Sequence, residues 1–177
     1  MRDFSISVDI KASPERVWEV LSDGERWHEW TPSVTSVDLL DKSIAVGSRA
    51  IVRQPELPPA KFKITALEPG KSFTWSSGIP GIILVYARHS VEPAPLGARV
   101  TLALRFDGLL GGVMGKKMAD LNHRYLAMEA AGLKRFSEEG PRDPSVPLET
   151  WNADAVRALG RPSPSTGALA SERGSRA

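Results

Sequence analysis

Residues 12–34 read ASPERVWEVLSDGERWHEWTPSV, and Lys11 separates them from the alternating stretch FSISVDI, residues 4–10. Ser13 is suited to cap a helix, because its hydroxyl can accept a backbone N–H, and Pro14 fits the first helical position. Gly24 is expected to end this helix, and the letters ERWHEW predict a second short helix that Pro32 stops. Because FSISVDI alternates apolar and polar residues, it predicts a half-buried strand. The stretch therefore predicts one strand followed by two short helices.

Three tryptophans, Trp18, Trp27 and Trp30, fall within this stretch. They fit either an aromatic box for a ligand or a structural corner of the fold. Trp18 lies on the apolar face of the first predicted helix, and Trp27 and Trp30 share one side of the second because they are three residues apart. A buried aromatic side chain removes roughly 150–250 Å² from water. We therefore predict that all three mainly pack the corner of the fold.

Six further strands are predicted after residue 34. They share an alternating or continuous apolar pattern that is bounded by Pro and Gly turns. Their sequences are VTSVDLLD, SRAIVRQP, KFKITALEP, SFTWSSG, IILVYARHSVEPA and GARVTLALRFDG. In KFKITALEP, Phe62, Ile64 and Ala66 are expected to share one face. Because the links are short, the sequence predicts an antiparallel meander of about seven strands.

The hydrophobic period changes in GLLGGVMGKKMADLNHRYLAMEAAGLKRFSEEG, residues 108–140. Residues spaced by three or four positions form one stripe of an amphipathic helix, as expected for a helix that covers a sheet. The stripe contains Leu110, Met114, Met118, Leu121, Tyr125, Met128 and Gly132. An antiparallel sheet needs one face covered, and this helix is long enough to cover it. The sequence thus predicts an α+β fold with one long C-terminal helix.

The predicted domain covers residues 1–140, and residues 141–177 form an extension rich in Pro, Ser and Gly. Within the extension, LETWNADAVRAL can form one short helix with Trp151 on its apolar face. The remainder is predicted to be mostly disordered, because it has too few apolar residues to build a core.

Composition excludes several classes of protein. The 177 residues include no Cys, which excludes disulfides, thiolate nucleophiles and Cys-based metal sites. The net charge of +2 is too small to predict a nucleic-acid partner. No signal peptide and no apolar run of about 18 residues is visible, so we expect a cytoplasmic protein without stable membrane insertion.

The order of these elements and four local stretches resemble the SRPBCC superfamily, also called START-like, Bet v-like or polyketide cyclase/dehydratase-like proteins. The stretches are VDIKASPERVWEVLSDGERWHEWTPSV, FTWSSGIPG, ARHSVEPAPLGARVTLALRFDGLLG and YLAMEAAGLKRFSEEG, and the resemblance covers about residues 3–139. The resemblance implies a helix-grip fold, in which a curved sheet wraps the C-terminal helix and encloses an apolar cavity. It implies little about chemistry, because the superfamily includes lipid carriers, hormone receptors and aromatase/cyclases.

Eight side chains are predicted to line this cavity, because they lie on inward strand faces or on the helix stripe. They are Phe73, Trp75, His89, Phe106, Met114, Met118, Leu121 and Tyr125. The methionines would provide an adaptable wall for apolar ligands. A second interpretation of the tryptophans places Trp30 at one end of the cavity.

Three residues are candidates for catalysis: His89, Tyr125 and Arg88. His89 and Ala87 share the more apolar face of their strand, and Arg88 lies on the other face. His89 fits either a hydrogen-bonded core histidine or a polar group that orients a ligand or transfers protons.

Neither a metal nor a cofactor is predicted. The three histidines, His28, His89 and His123, show no metal-ligand spacing. The glycine-rich letters GLLGGVMGKK fail as a phosphate loop, because Leu110 stands where Gly is required and Lys117 where Ser or Thr is required.

Three functional hypotheses remain open at this point. The first is a carrier or receptor that binds a small hydrophobic molecule, such as a lipid, an aromatic or a polyketide-like compound. The second is a cyclase/dehydratase in which cavity side chains transfer protons. The third is a regulatory module that binds a protein partner through the extension around Trp151. The oligomeric state does not follow from the sequence.

Overall fold

A computed structural model describes residues 1–41 and 44–159. The strands are β1 (Arg2–Ile10), β2 (Ser36–Leu39), β3 (Arg49–Arg53), β4 (Ala60–Glu68), β5 (Ser72–Ile79), β6 (Ile83–Ala94) and β7 (Gly97–Asp107). The helices are α1 (Pro14–Ser22), a 3₁₀ helix (Gly24–Glu29), α2 (Gly111–Lys117), α3 (Ala119–Glu139) and α4 (Leu148–Leu159).

The seven strands form one antiparallel sheet in the order β1-β7-β6-β5-β4-β3-β2. Strand β1 joins the far edge of the meander by pairing with β7 along its whole length. Alternation places one face of each strand in the core, as Val100, Leu102 and Phe106 show on β7. The long helix α3 packs on that face against β1 and β7. The predicted α+β helix-grip architecture is confirmed.

The corner between sheet and helices begins as the sequence predicts. The Ser13 hydroxyl accepts the backbone N–H of Arg16 at 3.2 Å and so caps α1. Trp27 and Trp30 are almost fully buried, with ring centroids 5.7 Å apart, and the Trp27 indole donates to the Leu21 carbonyl at 3.0 Å. Trp18 is half-buried. These tryptophans therefore pack the corner, although Trp27 also reaches the cavity described below.

Strand β4 departs from the predicted alternation. Its register to β5 shifts between Ile64 and Ala66, where a β-bulge inserts one residue. Ile64 pairs with Trp75 and Leu67 pairs with Phe73. The expectation that Ala66 shares the face of Ile64 is wrong, because the bulge moves Leu67 onto that face instead.

The predicted single C-terminal helix is interrupted at Met118. Its φ and ψ of −98° and 12° leave the helical region, and its N–H bonds back to the Met114 carbonyl. Helix α2 therefore ends at Lys117, and α3 begins at Ala119. Beyond the break, Tyr125 and Gly132 of the predicted stripe are buried, whereas Leu121 and Met128 are half-buried.

The extension begins with a helix that docks on α3. Trp151 and Asn152 of α4 are buried, and the guanidinium of Arg135 lies 4.9 Å from the centre of the Trp151 ring. The Asn152 amide donates to the Met128 carbonyl at 2.9 Å and to the Trp30 carbonyl at 3.3 Å. A short helix in LETWNADAVRAL is thus present and packed. The disorder predicted for the rest of the extension concerns residues 160–177, which lie outside the described residues.

Candidate functional site

A cavity of about 400 Å³ lies between the concave face of the sheet and helices α2 and α3. Its volume falls within the range of about 300–1,000 Å³ that is common for small-molecule sites. The curved sheet and the straight helix cannot touch along their whole length, which leaves this space between them. The cavity is therefore a direct consequence of the architecture.

The sheet supplies an apolar wall. Every second residue of a strand points to the same face, so β6 contributes Val85 and Ala87 and β7 contributes Leu104 and Phe106. Trp75 of β5 continues this wall, and its ring centroid lies 5.4 Å from that of Trp27 and 5.2 Å from that of Phe62. Aromatic rings thus close one end of the cavity.

The helices supply a wall of mixed polarity. Met114 of α2 and Met118 at the break line the cavity. On α3 the lining side chains follow the spacing of three or four residues. They are Asn122, Tyr125, Leu126 and Glu129. The helix wall therefore carries two polar side chains, Asn122 and Glu129, which the apolar pattern of the sequence does not indicate.

His89 lies in the wall between these elements and is 4% exposed. Its ring stacks on Phe73 with centroids 4.5 Å apart and planes 13° apart, and Trp27 lies 5.2 Å away. The Nε2 atom is 3.9 Å from Oε2 of Glu129, whereas Nδ1 has no hydrogen-bond partner among the described residues. The stacking rings fix the orientation of the imidazole, and Glu129 is its acidic neighbour.

Glu129 is held from its other side by the loop that follows the 3₁₀ helix. Oε1 accepts the Ser33 hydroxyl at 3.3 Å, and Ser33 lies 2.8 Å from the Thr31 hydroxyl. Asn122 is buried as well, and its Nδ2 has no hydrogen-bond partner within the described part of the chain. Polar groups thus cluster on one side of an otherwise apolar cavity.

Tyr125 holds the β3–β4 link against the cavity through a hydrogen bond. Its hydroxyl donates to the Pro55 carbonyl, and the neighbouring Arg124 pairs with Glu56 at 2.6 Å. Burial raises the pKa of the Tyr125 hydroxyl above its ordinary value, and the nearby Glu56 charge adds to this shift. The phenol therefore keeps its proton at neutral pH and uses it in the bond to Pro55.

Three predicted site residues lie outside this cavity. Phe73 packs against Trp18, with ring centroids 6.1 Å apart, and lines a separate void of about 30 Å³ beside α1. Leu121 is half-buried on α3 but does not line the cavity. Arg88 lies on the opposite face of β6 from His89. The structure brings Trp75, His89, Phe106, Met114, Met118 and Tyr125 together around one space.

Neither a cluster of three metal-ligating side chains nor a helix long and apolar enough to cross a membrane occurs in residues 1–41 and 44–159. The side chains that line the cavity can supply apolar contact, hydrogen bonding and a histidine beside a carboxylate.

Solved structures share this fold at low sequence identity. The protein XoxI from Bacillus cereus is 17% identical with a TM-score of 0.62, covering 76% of this chain and 94% of its own. The di-domain ARO/CYC StfQ from the steffimycin biosynthetic pathway is 13% identical with a TM-score of 0.62, covering 77% of this chain and 50% of its own. Ara h 8.0201 is 14% identical with a TM-score of 0.57, covering 77% and 97%.

Among curated proteins, none matches the sequence of this chain. A family model does match, over residues 1–138, and this segment holds the whole sheet and almost all of α3. The matched segment also contains all the side chains that line the cavity. The chain therefore belongs to the family described as polyketide cyclase / dehydrase and lipid transport.

Proposed function

We propose that this protein binds a small hydrophobic molecule, such as a lipid, an aromatic or a polyketide-like compound, in the cavity between the sheet and helices α2 and α3. The observation that supports this most strongly is a space of about 400 Å³ with a mainly apolar lining. Burial of apolar ligand surface contributes about 25 cal/mol per Å², so contact with these walls supplies the affinity.

The polar side of the cavity would orient such a ligand. His89, Asn122 and Glu129 lie at the lining, and Gln54 joins them from the β3–β4 link, where its amide donates to the Ser33 carbonyl at 3.1 Å. A few polar groups on an apolar wall are typical of sites that bind a hydrophobic molecule in one orientation. The proposed ligand therefore carries at least one oxygen or nitrogen at one end.

Filling the cavity tests the proposal. In Ala87→Phe the added ring points from β6 into the space between Trp75 and Leu104, the two residues that pair with Ala87. We expect binding of the apolar fluorophore N-phenyl-1-naphthylamine to weaken by at least about 10-fold, because apolar contact area is lost. Fluorescence titration of the purified protein measures this change.

The matched control for this experiment is Ala94→Phe, which adds the same ring at the end of the same strand, outside the cavity. Its affinity for the fluorophore should equal that of the unaltered protein. Equal binding by Ala87→Phe and Ala94→Phe, both folded by circular dichroism, would contradict a cavity site.

A second candidate function is cyclase/dehydratase catalysis, and the observation in its favour is the 3.9 Å approach of His89 Nε2 to Glu129 Oε2 at the cavity wall. A histidine beside a carboxylate is suited to move protons. Of the other two candidates, Tyr125 already donates to Pro55, and Arg88 lies on the far face of the sheet. His89 is thus the residue on which catalysis would depend.

Catalysis is tested with His89→Gln and a short poly-β-ketone thioester as substrate, by following the absorbance of an aromatic product. If His89 transfers protons, the rate should fall by about 10²- to 10⁴-fold, while N-phenyl-1-naphthylamine still binds. His28→Gln is the matched control, because His28 is exposed. A variant as fast as the unaltered protein, or no turnover by either, would leave binding as the function.

The third hypothesis is partner binding through the extension, but Trp151 is already buried against α3. Its ring is 5% exposed and its carbonyl accepts the Arg135 guanidinium at 2.9 Å. A partner that contacts this ring would first have to detach α4 from α3. The docked helix therefore favours a structural role for Trp151.

A further inference from the structure

Exposed apolar side chains concentrate at one end of the molecule. Five of the ten large hydrophobic side chains that are exposed among the described residues lie there. We call this group the apolar end: Ile79, Ile82, Leu109, Leu110 and Val113. Leu109 is 86% exposed and Val113 is 70% exposed, so these side chains project into solvent. Single exposed apolar residues are ordinary, whereas a contiguous group marks an interaction surface.

The apolar end is contiguous because two loops are hydrogen-bonded to each other. The N–H of Leu109 donates to the Gly81 carbonyl at 3.1 Å, and the N–H of Leu110 donates to the Ile82 carbonyl at 2.9 Å. Val113 of α2 is four positions after Leu109 and three after Leu110, so it lies beside them at the start of the helix. The β5–β6 turn and the start of α2 therefore form one surface.

This surface is the outer side of the cavity wall. Ile83 and Met114, which directly follow Ile82 and Val113 in sequence, line the cavity. Cavity side chains and apolar-end side chains are thus neighbours in sequence both where the β5–β6 turn enters β6 and within α2. A molecule bound at the apolar end would lie close to the cavity.

Cationic side chains border the apolar end. Lys116 and Lys117 are exposed in the last turn of α2, and neither makes an ion pair with a carboxylate within residues 1–41 and 44–159. Arg2 lies against the same helix, since a Cβ at Gly115 would be 3.0 Å from the Arg2 Cβ. The carboxylates at this end are Asp107 and Asp120, and Asp107 already accepts the Gly108 N–H at 2.8 Å. The border therefore carries a positive excess.

We propose that the apolar end docks this protein reversibly on the surface of an anionic lipid bilayer. Leu109, Ile82 and Val113 would enter the boundary between headgroups and acyl chains, while Lys116 and Lys117 contact anionic headgroups. The charge complementarity favours a bilayer over a second copy of the chain, because two copies would bring the same lysines together. Docking of this kind is peripheral and requires no spanning helix.

The apolar contribution is tested by sedimentation with vesicles of phosphatidylcholine and phosphatidylglycerol. Leu109→Asp should weaken partitioning by at least about 10-fold, because a leucine side chain loses its apolar environment. Leu96→Asp is the matched control: Leu96 is 70% exposed, but it lies in the β6–β7 turn, at the opposite end of those strands. We expect Leu96→Asp to partition like the unaltered protein.

The charge contribution is tested by the pair Lys116→Ala and Lys117→Ala in one chain. Each lysine near an anionic surface strengthens binding about 5-fold, so the double variant should bind roughly 10- to 30-fold more weakly. On vesicles of phosphatidylcholine alone, the double variant and the unaltered protein should bind equally weakly.

Three results would overturn the proposal: no binding of the unaltered protein to either vesicle, equal binding by Leu109→Asp and Leu96→Asp, or a concentration-dependent dimer that Leu109→Asp abolishes. The last result would assign the apolar end to a second copy. Binding of N-phenyl-1-naphthylamine in solution is measured on the same variants. Leu109, Lys116 and Lys117 do not line the cavity, so this binding should equal that of the unaltered protein. A failure of the docking proposal is thereby distinguished from a failure of the cavity proposal.

Discussion

Replacing Gly132 by alanine is expected to lower the unfolding free energy of the protein by at least about 3 kcal/mol, a large fraction of the roughly 5–15 kcal/mol that is typical of a domain. A Cβ built at Gly132 would lie 2.0 Å from the carbonyl oxygen of Trp30 and 2.9 Å from Nδ2 of Asn152. The first of these is a backbone atom of the buried corner, which a side-chain rotation cannot remove. Overpacking typically costs about 1–3 kcal/mol, and more where the backbone must move.

The matched control for this prediction is Gly112→Ala in α2. Its Cβ would meet only the Met1 nitrogen, at 3.4 Å, which is an ordinary contact. Alanine is favoured over glycine in a helix by up to about 1 kcal/mol, so this variant should be as stable as the unaltered protein or more stable. Urea unfolding followed by circular dichroism compares the two. A Gly132→Ala variant that unfolds at the same urea concentration as Gly112→Ala would contradict the close contact.

Trp27→Ala is the second change with a large expected effect, a loss of about 3–5 kcal/mol of unfolding free energy. The indole is 2% exposed and contacts the rings of Trp30, Trp75 and His89 at centroid distances of 5.2–5.7 Å. Its removal also leaves the Leu21 carbonyl without the indole N–H. Because Trp27 lines the cavity, the void left behind is continuous with it.

Trp18→Ala supplies the comparison, because Trp18 is half-buried and, among the described residues, its one aromatic contact is with Phe73. We expect its cost to be less than half of that for Trp27→Ala, since less apolar surface returns to water. Denaturant unfolding by tryptophan fluorescence measures both variants. If both variants lose the same unfolding free energy, the larger stabilising contribution expected of Trp27 is contradicted.

Much of the fold is predictable from the sequence because its patterns are local. FSISVDI alternates strictly, and β1 buries Phe4, Ile6, Val8 and Ile10 on one face. The capping Ser13 and the glycine after Glu139 mark helix ends by chemistry that needs no tertiary contact. What was not predictable is where these patterns are interrupted. The bulge after Ile64 shifts a strand face by one residue, and the break at Met118 separates α2 from α3. Neither interruption follows from the composition of its segment.

The candidate site was predictable only where apolar periodicity and exposure to the cavity coincide. Trp75 and Met114 satisfy both conditions. Asn122 and Glu129 were missed because a search for an apolar stripe passes over polar residues, even though they are spaced by seven and so share a helix face. Phe73 has the correct face, but α1 covers that part of the sheet and fills the space with Trp18. Periodicity assigns a face, whereas tertiary packing decides which part of that face stays open.

The docking of α4 has a practical meaning for anyone who shortens this chain. The family match stops at residue 138, yet Asn152 donates to Trp30 and Met128 inside the matched segment, and Trp151 covers α3. A recombinant fragment cut at Gly140 would lose those donors and expose apolar helix surface to solvent. Fragments intended for crystallisation or ligand screening should therefore run to at least Leu159, so that a loss of binding is not mistaken for the loss of a ligand site.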